Sequence, residues 1–338
     1  MKKVARIVVP LAIVGIIFFG VLPQFIEPES LAEAYEQLTP LEWLVLIVLA
    51  LARMPLVGWQ HRSALRGLTL RRATQGYLAS AAVSNTIPGP SGMATRYGMY
   101  RSWGFPNEDT ALAIFISGLP TTIVSLVLPI LAVAILAVFG GVSTGTVILA
   151  LVGLAAAAAG IAIGAYALRS DAVAVNVGRR ADAIVARVRR RAGREPSRSF
   201  AEELPAFRLN AQRLVGDRWG SLMLAGVAIR LSEFVLLVLC LRFVGIGQGD
   251  LPAALIFVVY AIMGIITLIQ ITPGAAGIAE LGYTGLLSLT LDGAFNDEVA
   301  AAVFLFRGAT WLLPILLGAP LVLAWRRTLR REESPAAT

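Results

Sequence analysis

The sequence predicts an all-α, polytopic helical membrane protein that contains two re-entrant, broken-helix hairpins. Hydrophobic residues make up 57% of the chain and charged residues only 15%, which is not the composition of a soluble globular protein. Seven apolar segments approach or exceed the roughly 20 residues that a helix needs to cross a bilayer. A short motif also occurs twice, each time at a break between apolar segments. These observations predict a single integral membrane domain over residues 1–338.

The apolar segments extend from near the N-terminus to near the C-terminus. They are Ile7–Ile26, Leu41–Trp59, Ala111–Phe139, Thr146–Leu168, Trp219–Val244, Leu251–Ile271 and Val299–Trp325. The first is longer than the apolar part of a secretory signal peptide, so we expect it to be retained as a membrane helix. Ala111–Phe139 would be about 43 Å long as a straight helix, and its two prolines, Pro120 and Pro129, favour a kinked or tilted span.

The repeated motif has the form P-G-x-x-G-x-A. It occurs at Pro88–Ala94 and again at Pro273–Ala279, next to apolar segments too short to cross a bilayer. Irregular backbone at membrane depth is tolerated only where it is buried in protein or lines a cavity. Paired breaks in the two halves of a membrane protein point to a substrate site. The motif therefore predicts a transporter-like protein.

The distribution of charge predicts the topology. The formal net charge is +8, but basic clusters alternate along the chain with acidic loops that contain no basic residue. The positive-inside rule then predicts a multi-pass protein of the cytoplasmic membrane with both termini in the cytoplasm, residues 326–338 forming a tail. Residues 73–95 become a hairpin inserted from the cytoplasm, and residues 251–291 a hairpin inserted from outside. This arrangement is typical of an inverted repeat.

The longest polar stretch is the basic insert at residues 169–218, which is predicted to be cytoplasmic. Its apolar residues recur at helical spacing, so it is either an amphipathic helix on the cytoplasmic leaflet or a solvated connector between two halves. Anionic membrane lipids are the partners expected for this charge, and no nucleic acid is expected. A homo-oligomer is one of the assemblies that the sequence leaves open.

The sequence offers little for metal or nucleophilic chemistry. Cys240 is the single cysteine and lies in an apolar segment, and His61 is the single histidine, at a basic membrane edge. One residue of each type provides no disulfide framework, metal motif or histidine-based triad. We therefore predict no cofactor and expect His61 to be an ordinary interfacial residue.

Ionisable residues inside apolar helices are costly and usually functional. Four such residues are Arg53, Arg230, Glu233 and Arg307. Arg230 and Glu233 lie three positions apart on one helical face, so they form either a structural ion pair or part of a substrate site. Arg53 lies six residues before Trp59 and is either buried with them or extends to the cytoplasmic interface.

Arg96 and Glu280 closely follow the two copies of the motif. With the four residues above, they give four cations and two anions, a surplus of two positive charges. A buried charge surplus requires a compensating anion, which a lipid phosphate would supply. We expect Arg96 and Glu280 to approach one another, or one substrate, across a pseudo-two-fold axis.

Helix N-termini at the two breaks would present free N–H groups and a positive dipole end to such a phosphate. Thr272 before Pro273 is predicted to cap a helix that starts with proline, and Asn85 or Ser91 is its counterpart in the first hairpin. The motif glycines permit either close approach of phosphate or tight helix packing, or both. They are Gly89, Gly92, Gly274 and Gly277.

Three motifs carry a resemblance to a known family. They are Asn85-x-x-Pro88-Gly89-x-x-Gly92 followed by Arg96, Thr272-Pro273-Gly274-x-x-Gly277-x-x-Glu280, and Arg307 with Gly318. Over nearly its whole length the chain resembles the transmembrane region of lysylphosphatidylglycerol synthases and its stand-alone, flippase-like relatives. The resemblance implies a membrane fold with re-entrant helices and an association with translocation of lipids or polyprenyl lipids. Members often carry an acidic residue where this chain has Met93-Ala94.

The residues and the resemblance favour a flippase or transporter for an anionic phospholipid or a polyprenyl-phosphate-linked lipid. The predicted substrate-binding residues are Asn85, Pro88, Gly89, Gly92, Arg96, Arg230, Glu233, Thr272, Pro273, Gly274, Gly277, Glu280 and Arg307. Only a short polar tail follows Trp325, so lipid aminoacylation is not expected. One alternative is a membrane-embedded enzyme that uses Glu233 or Glu280 as a base on a lipid-linked substrate. The other is a non-catalytic subunit that organises a partner through residues 169–218.

Overall fold

The computed structural model describes residues 28–87, 89–139, 200–268, 272–291, 293 and 295–333. Regular secondary structure in these ranges is helical throughout. The α-helices are α1 (Pro28–Glu36), α2 (Pro40–Ala64), α3 (Leu70–Ser84), α4 (Ser91–Ser102), α5 (Asn107–Phe139), α6 (Phe200–Phe243), α7 (Ala253–Ile266), α8 (Ile278–Thr290), α9 (Asn296–Arg307) and α10 (Leu313–Glu333). A 3-10 turn at Pro273–Ala275 precedes α8, and a π-helical turn at Gly308–Leu312 joins α9 to α10.

Four helices in the described part of the chain are long and apolar enough to cross a membrane. They are Pro40–Ala64, Asn107–Ile135, Asp217–Phe243 and Asn296–Leu329. The last of them comprises α9, the π turn and α10. The prediction of an all-α, polytopic membrane protein is thus confirmed, and each span contains most of an apolar segment found in the sequence.

Two predicted apolar segments, Ile7–Ile26 and Thr146–Leu168, lie outside the described residues, as does the basic insert up to residue 199. The end of the insert, residues 200–218, is continuous with the following span because α6 begins at Phe200. At the other end of the chain, α10 continues into the predicted tail as far as Glu333.

Both segments that contain the repeated motif are pairs of short helices. The first pair is α3 and α4, with 15 and 12 residues, and the second is α7 and α8, with 14 and 13 residues. Each helix rises at most about 23 Å, which is less than the roughly 30 Å thickness of the hydrocarbon core. We call α3–α4 hairpin 1 and α7–α8 hairpin 2. Their insertion from a single membrane face stays a prediction.

The two hairpins pack against different spans. Hairpin 1 packs through α3 against α2 and α10, and hairpin 2 packs through α7 against α5 and through α8 against α9. A fully buried apolar cluster fills the space between α6, hairpin 2 and α9; it includes Leu237, Leu241, Ile256, Leu287 and Val303. The long helices α5 and α6 also pack against each other. The interior near the centre is therefore bounded by both hairpins.

A glycine sets the separation between hairpin 1 and the last span. A Cβ atom at Gly318 would overlap the backbone carbonyl of Leu78 and lie 2.9 Å from the Cβ of Ala82. Backbone atoms of α3 cannot move away without shifting the whole helix. Gly318 therefore allows α3 and α10 to approach closely, as small residues do in membrane helix packing.

Gly318→Ala should lower the stability of the protein because the added methyl group overlaps the backbone of α3. Overpacking of this kind costs about 1–3 kcal/mol, although alanine is the better helix former by about 1 kcal/mol. Gly285→Ala in α8 is the matched control, since nothing lies within 4 Å of its Cβ position. Thermal unfolding in detergent should show a lower melting temperature for Gly318→Ala alone, and equal melting temperatures would contradict the close approach.

Candidate functional site

A cavity of about 650 Å³ lies at the centre of the helices, and both hairpins contribute to its wall. Its volume is within the range of about 300–1,000 Å³ that is typical of ligand pockets. Most of the predicted substrate-binding residues line it: Asn85, Gly89, Gly92, Arg96, Arg230, Glu233, Gly274 and Arg307. The remaining ones in the described chain, Thr272, Pro273, Gly277 and Glu280, do not line it. Pro88 lies outside the described residues.

Glu233 binds two arginines on the cavity wall. Its Oε1 accepts a hydrogen bond from Nη2 of Arg53, and its Oε2 accepts one from Nη1 of Arg230 at 2.8 Å. The hydroxyl of Tyr260 donates a third hydrogen bond to Oε2 at 3.1 Å. Arg53 and Glu233 are both buried, with 8% of each residue exposed. Arg53 therefore does not extend to the membrane interface, and the three charged groups leave one positive charge.

Glu280 forms a separate, neutral ion pair with Arg307. Nε of Arg307 donates to Oε1 of Glu280 at 2.6 Å, and its Nη2 donates to the carbonyl of Gly274 at 2.8 Å. The other carboxylate oxygen accepts the backbone N–H of Gly277 at 2.6 Å. The guanidinium carbon also lies 5.4 Å from the ring centroid of Trp311, a cation–π distance. The partner of Glu280 is thus Arg307 in the last span rather than Arg96.

Arg96 has a histidine as its neighbour instead of a carboxylate. Its Nη1 lies 2.5 Å from Nε2 and 3.2 Å from Nδ1 of His61. His61 is only 6% exposed and lines the cavity, so the expectation of an ordinary interfacial histidine is wrong. Among the described residues, no carboxylate forms an ion pair with Arg96. Its positive charge is therefore directed to the cavity without compensation from the surrounding helices.

Several buried donors on the cavity wall have no acceptor in the part of the chain that the structure describes. The Nε atoms of Arg53, Arg96 and Arg230 and the Nε2 atom of Gln60 form no hydrogen bond within the described chain. Most buried polar groups in proteins are hydrogen-bonded, so a group of unsatisfied donors on one cavity indicates a place for acceptor atoms. Three of these donors belong to guanidinium groups, which bind phosphate and carboxylate oxygens well.

The charges around the cavity sum to a positive surplus, as the sequence predicts. Four arginines and two glutamates give 4 − 2 = +2, with one surplus charge at the Glu233 cluster and one at Arg96. The apolar segments beyond the described residues, Ile7–Ile26 and Thr146–Leu168, contain no acidic residue. These two segments therefore contain no carboxylate that could compensate the surplus.

The two breaks meet at the π turn of the last span. Nδ2 of Asn85, at the end of α3, donates to the backbone carbonyl of Trp311 at 3.3 Å. Gly274 has a φ of +59°, and a Cβ atom there would overlap the indole of Trp311 and lie 3.1 Å from Oδ1 of Asn85. A π turn often marks a functional site within a helix. Here it provides the surface on which both broken segments come together.

The predicted helix caps at the breaks are only partly right. Thr272 and Pro273 begin a single 3-10 turn, and the hydroxyl of Thr272 donates to the carbonyl of Ala276 at 2.8 Å rather than capping a helix. Helix α8 starts only at Ile278, after Gly277 with φ +82°. In hairpin 1, Asn85 is the C-cap residue of α3. Gly274 is left-handed where the chain passes Trp311, and the left-handed Gly277 immediately precedes α8, so this helix begins five residues after Pro273.

Further cavity residues are absent from the sequence prediction. They include Gln60, His61, Tyr77, Tyr260 and Trp311; Arg53, which the sequence singled out as a buried charge but not as a substrate-binding residue, also lines the cavity. The sequence could have indicated the cavity residues of α2, because positions 53, 57, 60 and 61 share one helical face and three of them are polar. The sequence does not distinguish the tyrosines and Trp311 as cavity residues, because aromatic residues in apolar helices most often belong to the core.

Removing the carboxylate of Glu280 should destabilise the protein, because Arg307 would then be buried without its partner. Loss of one member of a buried pair costs about 3–5 kcal/mol. We expect Glu280→Gln and Arg307→Gln each to lower the melting temperature. The double variant should lose less stability than the two single losses combined, since no charge is left unpaired. Strictly additive losses would contradict the pair.

An exposed ion pair provides the control. Arg66 and Asp217 are 2.6 Å apart with side chains 69% and 60% exposed. Pairs of this kind contribute about 0–1 kcal/mol. Asp217→Asn should therefore leave the melting temperature close to that of the unmodified protein.

Comparison with known proteins places the chain in a family. The family described as "Lysylphosphatidylglycerol synthase TM region" matches residues 7–318, which includes both hairpins, the first three described spans, most of the fourth and every residue of the cavity wall. No curated protein sequence matches the chain. The match agrees with the apolar helices, the paired breaks and the arginine-lined cavity. The chain belongs to the family of lysylphosphatidylglycerol synthase transmembrane regions and is a membrane protein of a family involved in lipid handling.

Proposed function

We propose that the protein is a flippase or transporter that moves an anionic phospholipid or a polyprenyl-phosphate-linked lipid across the cytoplasmic membrane. The observation that carries this proposal is the cavity, where the described residues leave two positive charges uncompensated. Charged groups at membrane depth are costly unless they are paired or serve a function. A phosphate group in the cavity would neutralise charge and accept hydrogen bonds from the free Nε donors of the arginines.

The position of the cavity supports a lipid as the source of the phosphate. Three of its lining residues, Gly89, Met93 and Gly118, are exposed, and Met93 retains 53% of its surface. Met93 and Gly118 belong to α4 and α5, so the opening lies between hairpin 1 and a membrane span. A head group could occupy the polar cavity while its hydrocarbon chains remained outside among the helices.

The arrangement of the glutamates favours transport over catalysis. A general base must accept a proton from the reacting group. Glu233 is occupied by two arginines and a tyrosine, and Glu280 by Arg307 and the N–H of Gly277. Either residue would have to leave its partners to act as a base, and this would leave buried arginines unpaired. We therefore assign both glutamates to the structure of the site.

Arg96→Gln should abolish lipid movement while leaving the melting temperature nearly unchanged, because no carboxylate loses its partner. The assay is movement of fluorescent anionic phospholipids and polyprenyl phosphates across the bilayer of proteoliposomes. Arg62→Gln is the control, since Arg62 is exposed on the same helix as His61. Normal movement in Arg96→Gln would refute the role of Arg96, and no movement of any of these lipids by the unmodified protein would refute the proposed function.

We also infer that both termini are cytoplasmic, from the alternation of basic and acidic loops. Alkaline phosphatase is active only outside the cytoplasm. In a bacterial host, a fusion after Thr338 should therefore be inactive, and an insertion at Gly293, between α8 and α9, should be active. Activity of the C-terminal fusion would reverse the orientation.

A further inference from the structure

We propose that His61 is a positioning residue: it holds the guanidinium group of Arg96 in place for an anionic head group without cancelling the positive charge. This role rests on the proposed lipid transport and assigns a function to a residue outside the predicted substrate-binding set. The hydrogen bonds of Arg96, the chemistry of imidazole and the packing of α2 and α4 each support it.

The hydrogen bonds of Arg96 leave one edge of its guanidinium group free. In the described part of the chain, Nη1 contacts His61, whereas Nε is buried without an acceptor and Nη2 forms no hydrogen bond. Nε and Nη2 lie on the same edge of the guanidinium plane, and two such parallel N–H groups bind a phosphate in bidentate fashion. In Arg307 this edge is occupied by Glu280 and the carbonyl of Gly274. His61 therefore binds Arg96 on the side that a phosphate does not need.

Imidazole can accept a hydrogen bond from arginine without carrying a negative charge. A guanidinium group has only N–H donors and no acceptor, so Nε2 of His61, which lies 2.5 Å from Nη1 of Arg96, must be the acceptor. A carboxylate in the same place would also accept the hydrogen bond, but it would cancel the charge, as Glu280 does for Arg307. His61 thus orients the cation and leaves its charge for the head group.

His61 is itself fixed by the packing of its helix. It is buried, its ring lies 6.2 Å from the ring of Tyr77 on α3, and α2 packs against α3, α5 and α6. Arg96 lies on α4, the second helix of hairpin 1, which packs mainly against α3 and α5. The contact therefore ties a flexible side chain of the hairpin to a packed membrane span. An arginine ordered in advance loses less conformational freedom when the head group binds.

Three substitutions of His61 test this role by their effect on lipid binding. The affinities of the purified full-length protein for phosphatidylglycerol and for a polyprenyl phosphate are measured by native mass spectrometry. His61→Leu removes the acceptor, and we expect it to weaken binding about tenfold, because a charge-assisted contact with the head group is no longer held in place. His61→Gln supplies an uncharged acceptor and should retain most of the affinity. His61→Glu supplies a charged acceptor and should weaken binding at least as much as His61→Leu.

The comparison of His61→Gln with His61→Glu separates positioning from stability. The two replacements have nearly the same shape, so it also decides the matter if His61→Leu does not fold. The new carboxylate would pair with Arg96, and the melting temperature of His61→Glu in detergent should therefore not fall below that of His61→Gln. A residue with a merely structural role would instead change affinity and melting temperature together.

Ser63→Ala is the control for loss of a buried hydrogen bond on the same helix. Ser63 bonds to Ser221 at 2.9 Å and does not line the cavity, so lipid affinity should not change. Unchanged affinity in His61→Leu, equal losses in His61→Leu and His61→Gln, or full affinity in His61→Glu would each overturn the role of His61 and leave the proposed transport standing. Absence of binding of both lipids to the unmodified protein would overturn both.

Discussion

Arg307 binds the Glu280 carboxylate and the Gly274 carbonyl, and its guanidinium lies over the ring of Trp311. The carbonyl of Trp311 in turn accepts a hydrogen bond from Asn85 at the end of α3. One buried cation thus holds the break of hairpin 2 against the last span, and the next turn of that span holds the break of hairpin 1. The polar backbone of two interrupted helices needs such partners, because the hydrocarbon of a bilayer offers it no hydrogen bonds.

The buried charged residues have two different roles, and the partners of each residue show which role it has. Arg307 and Glu280 neutralise each other and position the breaks, whereas Arg96 has a histidine and, among the described residues, no carboxylate beside it. Glu233 is intermediate, since its one negative charge is shared by two arginines. The first kind of contact stabilises the fold by avoiding an unpaired buried charge. The second leaves positive potential in the cavity, where an anionic ligand can use it.

Two glycines make room for this close packing of the broken segments against the last span. Gly318 brings α3 and α10 into backbone contact, and Gly274 allows the chain to pass directly over the indole of Trp311. A Cβ atom at either position would clash with a neighbour. At Gly318 it would clash with the backbone of α3, and at Gly274 with the ring of Trp311. Gly274, one of the glycines of the repeated motif, therefore acts in packing, and this packing brings the second break to the edge of the cavity.

The sequence by itself determined the helical membrane fold, the places where two helices break and the surplus of two positive charges. These are local properties, because the length and apolarity of a segment and the charge of a residue do not depend on its distant neighbours. Tertiary structure alone decided which charges pair. Arg53 and Glu233 are 180 positions apart, and the burial of His61 beside Arg96 follows from helix packing. Tertiary structure also set the start of α8 at Ile278, after the left-handed Gly274 beside Trp311 and the left-handed Gly277.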